Sequence, residues 1–351
     1  MNPIFLEQTK QDIYFDPLTN KPFNFSIDNE KQKINVILGY YAFSNINSYS
    51  KILQPLIDSY YQGFSLNFIF EIKAHNVSNN IPRLDNIKNI IAIVSGKGGV
   101  GKSTTAINLA LALLLESNNT ANIGILDADI YGPSLPTLLD INHKPEIDEN
   151  KLMLPIKKYG LQCNSIGFII DNAPTIWRGP MATGAFNQLL QQTKWDNLDY
   201  LIIDMPPGTG DIQLTLAQKV PVTSAVVITT PQNVATLDAQ KGLAMLNKVN
   251  VNVCGVIENM SQHICSNCGH AEDIFEGNGA EQLSELYKID LLGKLPLNAN
   301  ICKYSDLGKP IVIASPQDNI SIIYREIAKK ISAKISLLKK DTQHLFKVMK
   351  I

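Results

Sequence analysis

The sequence predicts an α/β protein, a doubly wound and mostly parallel sheet covered by helices, preceded by a small N-terminal α+β domain. Three observations carry this. Short apolar runs at 90–94, 123–126, 200–203, 225–228 and 253–257 read as buried strands. They are continuous rather than alternating, as strands covered on both faces are. Helical stretches lie between them, notably 102–115 and 234–249, and strands alternating with helices build a parallel sheet. The first 85 residues differ. There 34–38 and 66–72 alternate like half-buried strands, while Ile52, Leu53, Leu56, Ile57 and Tyr60 recur at helical spacing between them, the pattern of a β-α-β unit.

The chain divides accordingly into 1–85, the N-terminal domain; 86–330, the sheet domain; and 331–351, a basic amphipathic tail. The stretch 75–89, with Asn79-Asn80 and Pro82, is the linker candidate. A chain of 351 residues agrees with about two domains, and 45% hydrophobic residues provide ample core. Charged residues are 18% and the net charge is -1, so no basic field points to a nucleic-acid partner. No run reaches the roughly 18 apolar residues of a membrane span, and residues 1–12 lack the pattern of a secretion signal. Five cysteines, an odd number, do not suit a disulfide scaffold. The expected location is the cytoplasm, where Cys-x-x-Cys means metal or redox work.

The chemistry begins directly after the first buried strand. Gly96-Lys97-Gly98-Gly99-Val100-Gly101-Lys102-Ser103-Thr104 satisfies G-x-x-x-x-G-K-[ST], with a strand before and a helix after. Its glycines let backbone N–H groups converge on phosphate, and the helix adds its positive end. Lys102 is placed for the β- and γ-phosphates and the Ser103 hydroxyl for Mg²⁺. Lys97 is not needed for its own cradle; it is either a solvated charge or a cation aimed at a neighbouring subunit's γ-phosphate. Two acidic segments end apolar strands: Leu126-Asp127-Ala128-Asp129, and Asp204 followed by Met205-Pro206-Pro207-Gly208-Thr209-Gly210-Asp211. Asp204 suits Mg²⁺ held through water, and the glycines beyond it allow response to a γ-phosphate.

A second centre is His263-Ile264-Cys265-Ser266-Asn267-Cys268-Gly269-His270. Two thiolates at this spacing bite one metal but make only half of a four-cysteine cluster site. The residues leave three readings open: a cluster shared between two copies, zinc completed by His263 and His270, or a redox dithiol. Cys163, Cys254 and Cys302 lie in or beside apolar stretches and read as buried small hydrophobes. His75, His143 and His344 have no partner pattern and read as surface residues.

Together these segments resemble the Mrp/ApbC family of iron–sulfur cluster carriers, within the MinD-like deviant Walker A P-loop ATPases. The resemblance spans about 89–325. It rests on the 96–103 loop, Leu-Asp-Ala-Asp-Ile-Tyr-Gly-Pro at 126–133, Trp177-Arg178-Gly179-Pro180-Met181, the 204–211 segment, Thr-Thr-Pro-Gln at 229–232, Glu258-Asn259-Met260 and Cys-Ser-Asn-Cys-Gly at 265–269. It implies that Lys97 reaches across a homodimer, that Asp129 lies near the attacking water, and that Asp204 is the Walker B residue. It implies that Asn259 contacts adenine, hence ATP. It also implies that Cys265 and Cys268 of two copies hold a labile [4Fe–4S] cluster received from a donor and delivered to apo-proteins. The N-terminal portion loosely resembles the domain preceding the ATPase in such proteins, but has no cysteine before Cys163. The alternatives are a MinD/ParA-like positioning ATPase and a zinc-bridged scaffold dimer. In the tail, Ile327, Ile331, Ile335 and Leu338 interleave with lysines. The expectation is a final helix packed on the sheet, with a helix lying on an anionic membrane as the other possibility.

Overall fold

In the computed structural model, residues 15–77, 81–169, 179–265, 268–275 and 277–341 are described. Trp177, Arg178 and the tail beyond 341, including His344, lie outside them. In chain order the strands are β1 (Asn24–Asp28), β2 (Lys33–Leu38), β3 (Ser65–Phe70), β4 (Ile87–Ser95), β5 (Ile123–Asp127), β6 (Ile156–Lys158), β7 (Leu161–Ser165), β8 (Leu198–Asp204), β9 (Ser224–Thr229), β10 (Val253–Glu258), β11 (His263–Ile264), β12 (Ala271–Glu272) and β13 (Asp290–Lys294). The helices of eight residues or more are α1 (Ile46–Tyr60), α2 (Lys102–Glu116), α3 (Gly179–Gln191), α4 (Asp211–Lys219), α5 (Asn233–Lys248), α6 (Gly279–Tyr287), α7 (Ala299–Asp306) and α8 (Asn319–Ser336).

The main sheet has the order β13-β10-β9-β4-β8-β5-β7-β6. Every pairing is parallel except β6 with β7. Each expected buried run is a strand, and each gains a residue or more at its ends. Because side chains alternate along a strand, β4 serves two cores. Ile91 and Ile93 pack with α2 and α8 on one face, while Ile90, Ala92 and Val94 pack with α3 and α5 on the other. That is why these runs show no polar alternation. β4 lies in the middle, with β8 on one side and β9 on the other, so the chain leaves it at the switch point where α/β sheets bind ligands.

The N-terminal unit is a three-stranded sheet, β1-β2-β3. β2 and β3 are parallel across α1, as expected, and β1 adds an antiparallel edge. α1 buries Tyr49, Leu53, Leu56 and Ile57. Polar contacts tie this unit to the sheet domain. Glu116, wholly buried at the end of α2, accepts from Arg325 Nε at 2.6 Å and from the backbone N and Oγ of Ser44 at 3.0 and 2.9 Å. Lys329 of α8, only 2% exposed, donates to Ser44 Oγ at 2.9 Å.

Three expectations need correction. The linker candidate is shorter than 75–89: at one end Asn76 N donates to Lys339 O at 2.9 Å and Asp341 N to Ala74 O at 3.0 Å, at the other β4 already begins at Ile87, and Asn79-Asn80 lie outside the described residues. His75 is buried, not at the surface. It bridges Lys340 and bonds Asn89 Oδ1 through Nδ1 at 3.0 Å, and burial pushes its pKa down. Its partners lie 14 and 265 positions away in sequence, beyond any local pattern. Cys302 is exposed on α7, its thiol 3.7 Å from Asp306 Oδ2, because the amphipathic helix turns it outward. Cys163 and Cys254 are buried as expected. Through α8 the tail's Ile327, Ile331 and Ile335 face the core, and the helix runs continuously past the 330/331 division.

Glu116→Ala removes the acceptor for Arg325 and Ser44 together. It is expected to cost about 3 kcal/mol, the scale of breaking a buried ion pair, read as a lowered urea midpoint.

Candidate functional site

The carboxyl ends of β4, β5, β8, β9 and β10 meet on one edge of the sheet, and the motif residues gather there. The loop leaving β4 owes its shape to its glycines. A Cβ at Gly96 would stand 2.1 Å from the backbone carbon of Asp238 in α5, so only glycine lets the strand pass. Gly99 and Gly101 sit at φ 82° and 81°, the left-handed region that glycine enters freely. Gly101 is the N-cap of α2 and supplies no side-chain cap. The first N–H groups of that helix are therefore left to a ligand, the arrangement that binds anions.

Lys102 turns inward. Only 6% exposed, it places Nζ 2.6 Å from Asp204 Oδ1 and 3.4 Å from Asp129 Oδ2. Burial lifts the Asp204 carboxyl above its ordinary range, against the pull of Lys102 and of the Ser103 hydroxyl. Asp129 Oδ1 is buried with no hydrogen-bond partner. Lys97 is half-buried, and no ion pair or hydrogen bond holds its ammonium among the described residues. Asn259, just past β10, donates Nδ2 to Val100 O at 2.9 Å, bringing it against the loop as its spacing could not reveal. Gly208, in the segment after Asp204, donates its N–H to Ser95 O at 3.0 Å, joining that segment to the end of β4.

Sequence reasoning passed over Asp127. It lies beside Asp204 in the β5–β8 register and is wholly buried. Its Oδ1 accepts from Asp129 N at 3.0 Å; its Oδ2 accepts from Ser134 N, Leu135 N and Ser165 Oγ at 3.0–3.1 Å. It therefore shapes the whole turn carrying Asp129. The signal available was a second acid at the strand end; the donors, one of them 38 positions away, were not visible. Three buried acids thus cluster at one buried ammonium, two of them paired with it and Asp127 beside Asp204. With the unpartnered Asp129 oxygen, this set fits a divalent cation, which would restore the charge balance.

The cysteine pair sits on a small hairpin. β11 pairs antiparallel with β12, His263 opposite Glu272. Cys265 N donates to His270 O and Gly269 N to Cys265 O, both at 2.9 Å, with Gly269 at φ 74°. These two bonds close the knuckle that presents Cys265, half-buried, and Cys268, exposed; Ser266 and Asn267 lie outside the described residues. His263 is engaged elsewhere, with Nδ1 3.0 Å from Glu272 Oε1. Among the described residues no three His, Cys, Asp or Glu side chains come together to hold a metal. One chain thus brings two sulfurs to this knuckle and does not gather the two-sulfur, two-histidine zinc set.

Burial, and Asp204 alongside, push the Asp127 carboxyl up to about 7 from its ordinary 3.8. Between those values the folded chain holds a proton that the unfolded chain releases, so stability falls as pH rises through that interval. Asp127→Asn is expected to be less stable throughout, since its Nδ2 cannot accept, but to lose this slope. Urea midpoints of both proteins from pH 4 to 7 measure it.

Comparison with known proteins agrees with this geometry. Residues 86–332 match the ParA family described as NUBPL iron-transfer P-loop NTPase. The chain is 53% identical over 269 residues to the iron-sulfur cluster carrier protein of Escherichia coli K12, covering 75% of this chain and 72% of that one. It is 44% identical over 259 residues to the iron-sulfur cluster transfer protein NUBPL of Mus musculus, covering 73% and 81%. Among solved structures, a nucleotide-binding protein in complex with ADP from Archaeoglobus fulgidus superposes with a TM-score of 0.58 at 33% identity, covering 68% of this chain and 93% of that one.

Proposed function

The chain belongs to the NUBPL iron-transfer family of P-loop NTPases, and from that premise we propose that it is an ATP-dependent iron–sulfur carrier. It binds a labile [4Fe–4S] cluster between two copies of itself and passes it to apo-proteins in the cytoplasm. The observation that carries this reading is the two-thiol hairpin on the edge that also holds the nucleotide loop. A cluster usually takes four thiolates, and a twofold axis brings two such hairpins together. The same edge is apolar where a partner would sit. Tyr131, two residues beyond Asp129, is 63% exposed; Met181 at the start of α3 is 53% exposed; Val234 and Leu237 in the first turns of α5 are 63% and 58% exposed. Large apolar side chains exposed at this edge suit an association surface, and the occupant proposed for it is a second copy of this chain.

The residues then divide the work. The 96–101 backbone and the start of α2 hold the phosphates, and Lys102 leaves Asp204 to meet them. Lys97, whose ammonium has no partner among the described residues, serves the partner's γ-phosphate, as an added cation stabilises phosphoryl transfer. Ser103, Asp129 and Asp204 would hold Mg²⁺, which would supply further charge neutralisation. Asp129 orients the attacking water while Asp127 fixes its backbone. The Asn259 side-chain oxygen, which makes no hydrogen bond among the described residues, accepts from the adenine amine. Thr104 completes the first turn at the phosphates.

The test separates loading from delivery. Under anaerobic reconstitution, Lys102→Ala is expected to take up iron and sulfide like the unmodified protein, which also shows that it is folded. Its ATP hydrolysis falls about a hundredfold, and transfer to an apo-acceptor falls with it. Cys265→Ala takes up no cluster. Equal transfer by Lys102→Ala, or stoichiometric zinc with no iron uptake, overturns the reading.

A further inference from the structure

Cys265 stands six residues beyond Asn259, the residue that touches the phosphate-binding loop, and the connection has almost no slack. Asn259 N donates to Thr229 O at 2.8 Å, and its Nδ2 donates to Val100 O at 2.9 Å. A Cβ on Gly101 would lie 2.2 Å from that same Nδ2, so the amide rests directly on the loop's last glycine. Beyond Met260 the chain runs beside residues 295–297. Ser261 donates through N and Oγ to Leu295 O at 2.9 and 3.1 Å; Leu297 N donates to Gln262 O at 2.7 Å; His263 bridges Leu297 in parallel. On the near side, Leu295 N donates to Glu258 O at 2.8 Å. A two-stranded ladder thus leads from β10 to the hairpin, and it is interrupted at Asn259–Met260.

Met260 adopts φ 55°. The other non-glycine residues of positive φ among those described are Asn, Asp, Gln, Lys or Tyr; Met260 alone is aliphatic. An unbranched apolar side chain has no local hydrogen bond to offset that conformation, so the bonds on either side of it must hold it there. Such outliers persist where the surroundings over-determine them, and they cluster at switch regions.

We propose that Asn259 and Met260 form the hinge through which the phosphate-binding loop sets the position of Cys265 and Cys268. Val100 lies between two left-handed glycines, so its carbonyl is free to turn when phosphates engage the neighbouring N–H groups. Asn259 is 8% exposed, and a buried amide follows its partner rather than stay unpaired. Met260 converts that displacement into rotation of the ladder, and the hairpin moves with it. This gives the carrier reading its route from nucleotide to cargo; it rests on that reading for its purpose, although its test needs no cluster.

Full-length, reduced, metal-free protein is alkylated with iodoacetamide, with saturating ADP or a non-hydrolysable ATP analogue, and the rates at Cys265 and Cys268 are followed by mass spectrometry. The two nucleotides are expected to give rates that differ about fivefold or more, the low end of ordinary allosteric coupling. Met260→Gly accepts the same backbone without strain and should fold. It makes the joint slack, so the ratio falls to about one. Met260→Asn tolerates the left-handed conformation yet stays stiffer than glycine, and keeps most of the ratio. An undiminished ratio in Met260→Gly assigns the effect to subunit association and overturns the hinge, as does a nucleotide-independent rate in the unmodified protein. Failure to load iron in the separate reconstitution sinks the carrier reading and leaves this result standing.

Discussion

The site is organised by an imbalance of buried charge. Lys102, a buried ammonium at the ends of β5 and β8, pairs with Asp204 and Asp129, and Asp127 lies beside Asp204 in the sheet. An ammonium and three carboxylates withdrawn from water are tolerable only when paired and hydrogen-bonded. Asp204 takes the lysine. Asp127 takes three hydrogen bonds from the turn beyond it and a fourth from Ser165 Oγ on β7. Asp129 keeps one oxygen unpartnered. Such a site is poised to receive phosphate at the lysine and a divalent cation at the acids, and each relieves the charge that the other leaves.

The parallel sheet turns that local condition into an arrangement of parts. Since its strands run in one direction, the loops after β4, β5, β8, β9 and β10 all open on one edge. The phosphate loop, the acidic turns and the cysteine hairpin become neighbours without long-range design. The N-terminal unit is held from the other side, by Glu116, Arg325, Lys329 and Ser44 and by the strand-like pairing of 74–76 with 339–341. These contacts tie the small sheet to α2 and α8, the helices that cover one face of the main sheet.

Legibility in the sequence followed the range of the forces involved. The phosphate loop could be read because Gly99 and Gly101 answer local demands of conformation, while Gly96 answers the close approach of Asp238 from α5. The five buried strands could be read because strands covered on both faces lose their polar alternation. β1, β6, β7 and β13 were not legible: β1, β6 and β13 are short or half-exposed, β7 buries the polar run Gln162-Cys163-Asn164-Ser165, and only their sheet neighbours decide them. His75 and Cys302 were misjudged for the same reason, one buried by distant partners and the other turned out by helical phase. Asp127 was visible as a residue but not as a hub, because its donors come from three segments. Met260 was visible only as part of the Glu258-Asn259-Met260 segment and not for its conformation, since a backbone angle imposed by flanking bonds leaves no trace in residue type.

The central claim is that one chain supplies half of an iron–sulfur site and a second copy supplies the rest. Native mass spectrometry of the anaerobically reconstituted protein, read with its iron content, examines this most directly. The account predicts that iron and sulfide travel with a two-chain species, one four-iron cluster per pair of chains. A full cluster, or a tightly held zinc, on a single chain would contradict it.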